Sequence, residues 1–358
     1  SSDVCSSDLF SDTDYWYAEF FDEKSIYHLL KRFVLHPNHL SKIKNGEGVL
    51  MLNNSHEAFH GVVRTIYDIA VKRLEIPPSQ IVLISESATI NKEVEKIASE
   101  YNLPKIRTEW MRVFERDTQV TPHIPFPTLE DKQYDKKFIN LNRRWRLHRP
   151  VFVGLLKLNN ILDKGYVSLA KSDDNKDWNS FYDDISWISR NNPKFLSVFT
   201  DNTETIKNIP PMLLDQTDMT INYGHMLNCG DSMDDYYRNT YFSVVSETNF
   251  FSELGEGLFV SEKTARTILK KHPFILVARP YTLKTLRSIG YKTFSNIIDE
   301  SYDAEEDDFK RMTMIVEETK RLCFLNQSQL DNFLKEAREI VEYNYSVLMN
   351  RKEFIRKL

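Results

Sequence analysis

The stretch YFSVVSETNFF (Tyr241–Phe251), followed by SEKTARTILKKHPFILVARP (Ser261–Pro280), decides the fold. Tyr241 to Thr248 opens with β-branched and aromatic residues in an apolar run, the composition of a buried strand. Ser261 is a good N-cap, and the residues up to His272 read as a helix. Pro273 to Ala278 is a second apolar run. Strand, helix and strand in so short a span predict parallel pairing and an α/β layer. Glu247 then falls at the carboxyl end of a strand. Ser261-Glu262-Lys263 opens the next helix, at the edge where open α/β sheets bind ligands.

The same alternation extends outward. KKFINLN (Lys136–Asn142) reads as a strand, Pro150 to Leu162 as a helix, and GYVSLA (Gly165–Ala170) as another strand. Asp173 to Asp235 is polar and yields no clear elements. Thr282 to Ile289 reads as a short helix stopped by Gly290. Gln327 to Leu358 reads as a long amphipathic helix, basic at its end. Toward the start, EGVLMLN (Glu47–Asn53) and QIVLISES (Gln80–Ser87) read as buried strands. Between them Val62, Val63, Ile66, Ile69, Ala70 and Leu74 recur at helical spacing, and Ile76-Pro77-Pro78 stops the run. Thr89 to Tyr101 forms a further helix, with Ile90, Val94, Ile97 and Ala98 on one face. TPHIPFP (Thr121–Pro127) is a proline-rich linker.

The expectation is therefore α/β, with two Rossmann-like domains facing across a cleft and a long C-terminal helix. Residues 10–127 form an acceptor-side domain, 128–326 a nucleotide-binding domain, and 327–358 the helix.

The bulk numbers exclude several classes. The chain has 358 residues, 47 basic and 52 acidic, a net charge of −5, which gives no basic surplus for nucleic acid. No apolar run approaches the roughly 18 residues of a membrane span. Cys5, Cys229 and Cys323 fall into no metal-ligand spacing, and a reducing cytoplasm is the expected location. There is no G-x-G-x-x-G and no Walker sequence.

The opening SSDVCSSDL (Ser1–Leu9) back-translates, codon for codon, as AGT TCA GAC GTG TGC TCT TCC GAT CT, the end of a common short-read sequencing adapter. It reads as a translated library scar and is set aside from fold reasoning. Natural sequence is then expected from about Phe10, with the true N-terminus missing.

NRRWRLHR (Asn142–Arg149) is the densest chemical signal, with four arginines and a histidine where a strand gives way to a helix. Arginine grips phosphate bidentately, and a helix N-terminus adds donors and positive potential. One or two of Arg143, Arg144, Arg146 and Arg149 are expected in the cleft; the alternative is a solvated basic turn. A first-turn carboxylate such as Glu262 can accept both hydroxyls of a ribose, and Lys263 offers a point charge for phosphate. The alternative there is an ordinary helix cap.

The segment from YFSVVSETN through VSEK to HPFILVARP resembles the donor-binding region of the α-1,3-fucosyltransferases, glycosyltransferase family ten, which have GT-B architecture. That family carries F-x-x-x-F-E-N-S, then T-E-K opening a helix, then a short apolar strand. KKFINLN with Arg149-Pro-Val-Phe152 resembles its S-N strand end and R-N-x-F helix start. Departures are Glu247-Thr248-Asn249 in place of E-N-S, and Ser261 in place of threonine. The resemblance implies a nucleoside-diphosphate sugar as donor, with GDP-fucose the family's own. It places Arg149 and Lys263 on the pyrophosphate, Glu262 on the ribose and Glu247 near the sugar. Arg143, Arg146, Asn249 and Ser261 complete the expected nucleotide-sugar set.

Such a reaction is inverting and needs neither metal nor other cofactor, because fixed cations stabilise the leaving diphosphate. The acceptor is a glycan hydroxyl, and its proton needs a base. Glu57 and His56, in NNSHEAFH after the first strand, and Glu86 after the second are the candidates; Glu109 is placed in a loop. The alternative from another class is a non-catalytic carbohydrate-binding or structural protein of the same fold.

Overall fold

The computed structural model describes residues 14–19, 37–54, 61–120, 134–142, 145–169, 178, 181–182, 185, 193–210, 212, 214, 234–252, 257–352 and 355–357. The chain divides into two compact units. One is Ser1–Val113 with Glu253–Phe259 and Glu353–Leu358; the other is Phe114–Ser252 with Val260–Lys352. Ser1–Leu9, His56, Glu57, the linker Thr121–Pro127, Arg143, Arg144 and the Asp173-Asp174 pair lie outside the described residues.

The first unit holds β1 (Asp14–Glu19), β2 (Gly48–Asn54), β3 (Ile81–Ser85), β4 (Arg107–Met111) and β9 (Ile355–Lys357), in the order β1-β2-β3-β4-β9. The first four are parallel, and β9 runs antiparallel to β4. Its helices are α1 (Pro37–Lys44), α2 (Gly61–Ile66) and α3 (Ile90–Tyr101). Strand alternation sorts the side chains. Leu50, Leu52, Ile81 and Leu83 pack in one cluster with Ile43, Val62, Val63, Ile66, Ile90, Val94 and Ile97 of the helices. Val49, Met51, Val82 and Ile84 form a second cluster with Met111. All seven residues of β2 are buried, as the near-continuous apolar run required.

The expected α/β class is borne out, with differences of detail. The helix after β2 widens into a π-helix at Tyr67–Arg73, where the buried Tyr67 hydroxyl donates to Pro104 O (3.0 Å) and accepts from Ile106 N (3.1 Å). Glu109 lies in β4, not in a loop. RTEWM has no apolar run to announce it, and only Thr108 and Trp110 are buried along it. Trp110 Nε1 donates to Glu86 O at 3.0 Å, tying β4 to the end of β3.

Helix α4 (Val113–Val120) opens the second unit. Its sheet comprises β5 (Lys136–Asn140), β6 (Gly165–Val167), β7 (Thr240–Ser246) and β8 (Phe274–Val277), all parallel, in the order β6-β5-β7-β8. Helix α5 (His148–Leu158) follows β5. Two short helices, α6 (Pro193–Thr200) and α7 (Thr203–Lys207), fall within the stretch that the sequence left unassigned, and a third, α8 (Asp234–Arg238), starts at its end. Helix α9 (Glu262–Leu269) joins β7 to β8, and α10 (Thr282–Ser288) follows β8. Gly290 stops α10 with φ at 95°, a conformation that glycine adopts without strain.

Two long helices close the unit: α11 (Asp308–Cys323), which sequence reading missed, and α12 (Gln327–Asn350), which ends before β9. α12 starts with a full capping box, Asn326 with Gln329. α11 packs against α5, β5 and β8, whereas α12 packs on α9. Among the described residues no helix is long and apolar enough to cross a membrane.

Candidate anion site at the switch point of the second sheet

In the order β6-β5-β7-β8, the chain leaves β5 toward one side for β6 and returns to the other for β7. Right-handed crossovers then put α5 and α9 on opposite faces, and their N-termini splay apart between β5 and β7. A crevice at that carboxyl edge is where open sheets of this kind take ligands.

Glu247, the first residue beyond β7, joins the two helices there. Its carbonyl accepts from His148 Nε2 (2.9 Å) and Arg149 Nη2 (3.4 Å) of α5. Its carboxylate accepts from the Ser261 N–H (3.2 Å), the Thr264 hydroxyl (2.5 Å) and the Thr248 N–H (3.2 Å). The side chain has no exposure, and an anion at the start of α9 is favoured by the helix dipole. The carboxylate thus sits on protein donors and fixes where α9 begins.

Ser261 caps α9 as its sequence suggested, accepting from Lys263 N at 3.3 Å. The Lys263 ammonium directs its three protons to Glu262 Oε1 (2.7 Å), Ser261 Oγ (3.1 Å) and Thr248 Oγ1 (3.3 Å). Burial alone would raise the Glu262 pKa. The Lys263 charge and hydrogen bond, helped by Arg266, overcome this and hold it at about 2.

Arg149 is buried at the first turn of α5, and its guanidinium also reaches Ser246 O at 3.5 Å; Arg146 is half-buried just before the helix. Asn249 is buried in the loop after β7. The predicted residues Arg146, Arg149, Glu247, Asn249, Ser261, Glu262 and Lys263 therefore belong to the carboxyl edge of one sheet. Glu86 lies in the first unit, buried just past β3.

His148, which the sequence reading left without a role, reports the local field. Its ring stacks on Phe250, with centroids 5.8 Å apart. Because a carbonyl only accepts, Nε2 carries the proton toward Glu247 O. Burial first, then the charges of Arg149, Arg146 and Lys263, push its pKa well below 6.5. His148 is thus held neutral mainly by burial, with the neighbouring cations adding to it.

His272 is also neutral. Nε2 donates to Thr240 O (2.9 Å), Nδ1 accepts from the Ser243 hydroxyl (2.8 Å), and burial brings its pKa to about 4. Both histidines take up protons in the unfolded chain below its ordinary value of 6.5, while the fold does not. The unfolded state then binds more protons, so stability falls as pH drops from 6.5. His272 alone accounts for about 3 kcal/mol by the time pH reaches its folded value. Urea midpoints measured from pH 7 to pH 4.5 should fall steadily; a flat profile would contradict this.

The fold and site define a two-sheet α/β protein with buried charged side chains at the topological switch point of its second sheet. No family model and no curated protein matches the chain. Among solved structures, it is similar to a TarM variant of S. aureus in complex with fondaparinux, α-GlcNAc-glycerol and UDP, with TM-score 0.33, 9% identity and 85% of this chain covered. The chain spans about half, 51%, of the length of TarM. A second is the N-terminal domain of Candida albicans trehalose-6-phosphate phosphatase, with TM-score 0.37, 10% identity, and 90% of this chain and 73% of that one covered. A third is the DNA-modifying enzyme β-glucosyltransferase, described with and without its substrate uridine diphosphoglucose, with TM-score 0.34, 10% identity, and 94% and 98% covered.

Proposed function

We propose that the chain is a glycosyltransferase of GT-B architecture that binds a nucleoside-diphosphate sugar at the carboxyl edge of its second sheet. The observation that carries this reading is the placement of Arg149 and Lys263 beside the end of β7, where Arg149 Nη2 reaches Glu247 O and Lys263 Nζ reaches Thr248 Oγ1 and the first-turn carboxylate of Glu262. A diphosphate needs the cations, and a ribose diol needs an acceptor that stays ionised.

The Glu262–Lys263 pair, 2.7 Å apart, supplies both. When a ligand binds, Lys263 turns to the diphosphate and Glu262 to the ribose hydroxyls, so each exchanges its partner for the ligand. Glu247 acts as a positioning residue in this scheme, setting α9 and, through His148, α5. In the transfer, the acceptor oxygen forms its bond to the anomeric carbon as the bond to the diphosphate oxygen breaks. The acceptor's proton passes to a base, for which Glu57, His56 and Glu86 are the candidates. The charge left on the diphosphate faces Lys263 and Arg149. The resemblance to family ten extends the proposal to inversion at that carbon, fucose as the sugar, a glycan acceptor, and side-chain cations in the role a metal plays elsewhere.

A thermal-shift screen against GDP, UDP, ADP and CMP sugars tests this reading. A ligand at 100 times its Kd adds about 2.7 kcal/mol, a rise of a few degrees in Tm. One nucleotide class should raise Tm. No shift with any of them would overturn the proposal.

A further inference from the structure

Asn142 follows β5 by two residues and has no exposure. A relay across the sheet settles its amide. Val244 O can only accept, so Asn140 Nδ2 faces it at 2.6 Å and also reaches Ser246 Oγ at 3.0 Å. This turns Asn140 Oδ1 toward Asn142, whose Nδ2 donates to it at 2.5 Å and to Ser168 O at 3.0 Å. A flipped amide would set oxygen against oxygen at both contacts. Asn142 Oδ1 is therefore fixed as an acceptor, and it is buried with no donor among the described residues.

Three residues further along the chain, Trp145 Nε1–H is a buried donor with no acceptor among the described residues. Its ring packs edge-on against Trp178 at 5.7 Å. Each such orphan costs about 1–3 kcal/mol in a folded protein. Two orphans three residues apart, opposite in kind, match a group that can both donate and accept. A hydroxyl does so; a phosphate oxygen has no proton for Oδ1.

We propose that Asn142 Oδ1 and Trp145 Nε1, between β5 and α5, form a hydroxyl-recognition subsite that takes a hydroxyl of a sugar ring. The proposal rests on the nucleotide-sugar reading for what brings that ring to the subsite. The ring is either the nucleotide's ribose or the transferred sugar, and the test separates them.

Trp145→Phe keeps the ring and removes the donor; Asn142→Ala removes the acceptor. Each is titrated calorimetrically with pyrophosphate, GDP and GDP-fucose, with melting curves as the folding check. Loss of one such bond should weaken binding by roughly three- to tenfold. Pyrophosphate affinity should stay within about twofold, since its recognition uses charge. A loss already present with GDP assigns the ribose, and a loss only with GDP-fucose assigns the transferred sugar. Unchanged affinity for all three probes in Trp145→Phe, or an equal loss for pyrophosphate, would overturn the subsite.

If the wild-type protein binds none of the three, the nucleotide-sugar reading fails separately. The subsite is then read from the Trp145 indole N–H resonance, identified by its absence in Trp145→Phe, with free fucose and free ribose. A saturable shift upholds it, and an unmoved resonance overturns it.

Discussion

Arg311→Met should destabilise the protein by about 3–5 kcal/mol, the cost of breaking a buried ion pair from one side. Arg311 is 1% exposed, and all five of its N–H groups are engaged. Nε donates to Ala278 O (3.1 Å), and Nη1 to Glu305 O (2.9 Å) and Glu306 O (3.4 Å). Nη2 donates to Phe250 O (2.7 Å) and to the Asp308 carboxylate (2.5 Å). The guanidinium also lies over the Phe250 ring at 4.4 Å. Asp308 in turn holds the N–H and hydroxyl of Ser252. One side chain of α11 thus fastens the loop after β7 to the loop after β8. Methionine fills similar volume but leaves these carbonyls and a part-buried carboxylate without their donors. Arg311→Lys, with its single ammonium, should recover only part of the loss. Urea unfolding measures both, and a change within about 0.5 kcal/mol for methionine would place Arg311 among ordinary surface residues. Because Phe250 stacks on His148, the loosened loop should also weaken whatever the site binds.

Lys263→Ala should weaken nucleoside-diphosphate binding by roughly 10- to 100-fold, the equivalent of one charge-assisted hydrogen bond. Here the fold should survive, since Lys263 keeps part of its side chain in solvent and Ser261 still caps α9. Glu262 provides a second readout. Lys263 is the main cause holding its pKa down against burial, so its removal should raise that value above about 2. Carbon-detected NMR titration of the carboxyl group follows this directly. Equal GDP and UDP affinity in variant and wild type would remove Lys263 from the site.

The residues that define the site were readable for a definite reason. β7, α9 and β8 are each announced by composition, a cap and a stop, so Glu247, Ser261, Glu262 and Lys263 fall at one edge by topology alone. Arg149 follows from β5 in the same way. Side-chain direction was not readable. The resemblance set Glu247 near a sugar, and nothing in the sequence told that its carboxylate would hold the N-terminus of α9 through Ser261, Thr264 and Thr248. Nothing local to SET distinguishes these outcomes, because the partners lie up to 17 residues on. His148 was hidden for a similar reason, since its acceptor is a backbone carbonyl 99 residues away. β4 escaped because RTEWM is short and carries neither an apolar run nor a strict apolar–polar alternation. α11 carries a helical spacing and an Asp307 cap that accepts from Lys310 N, signals that are legible in its sequence.

A crystal structure with GDP bound tests the central claim most directly. The account predicts the diphosphate between the N-termini of α5 and α9. Lys263 Nζ should have left Glu262 for a phosphate oxygen, and Glu262 should accept from the ribose hydroxyls. GDP bound elsewhere on the protein, or a Glu262–Lys263 pair still closed at 2.7 Å beside a bound nucleotide, would contradict it.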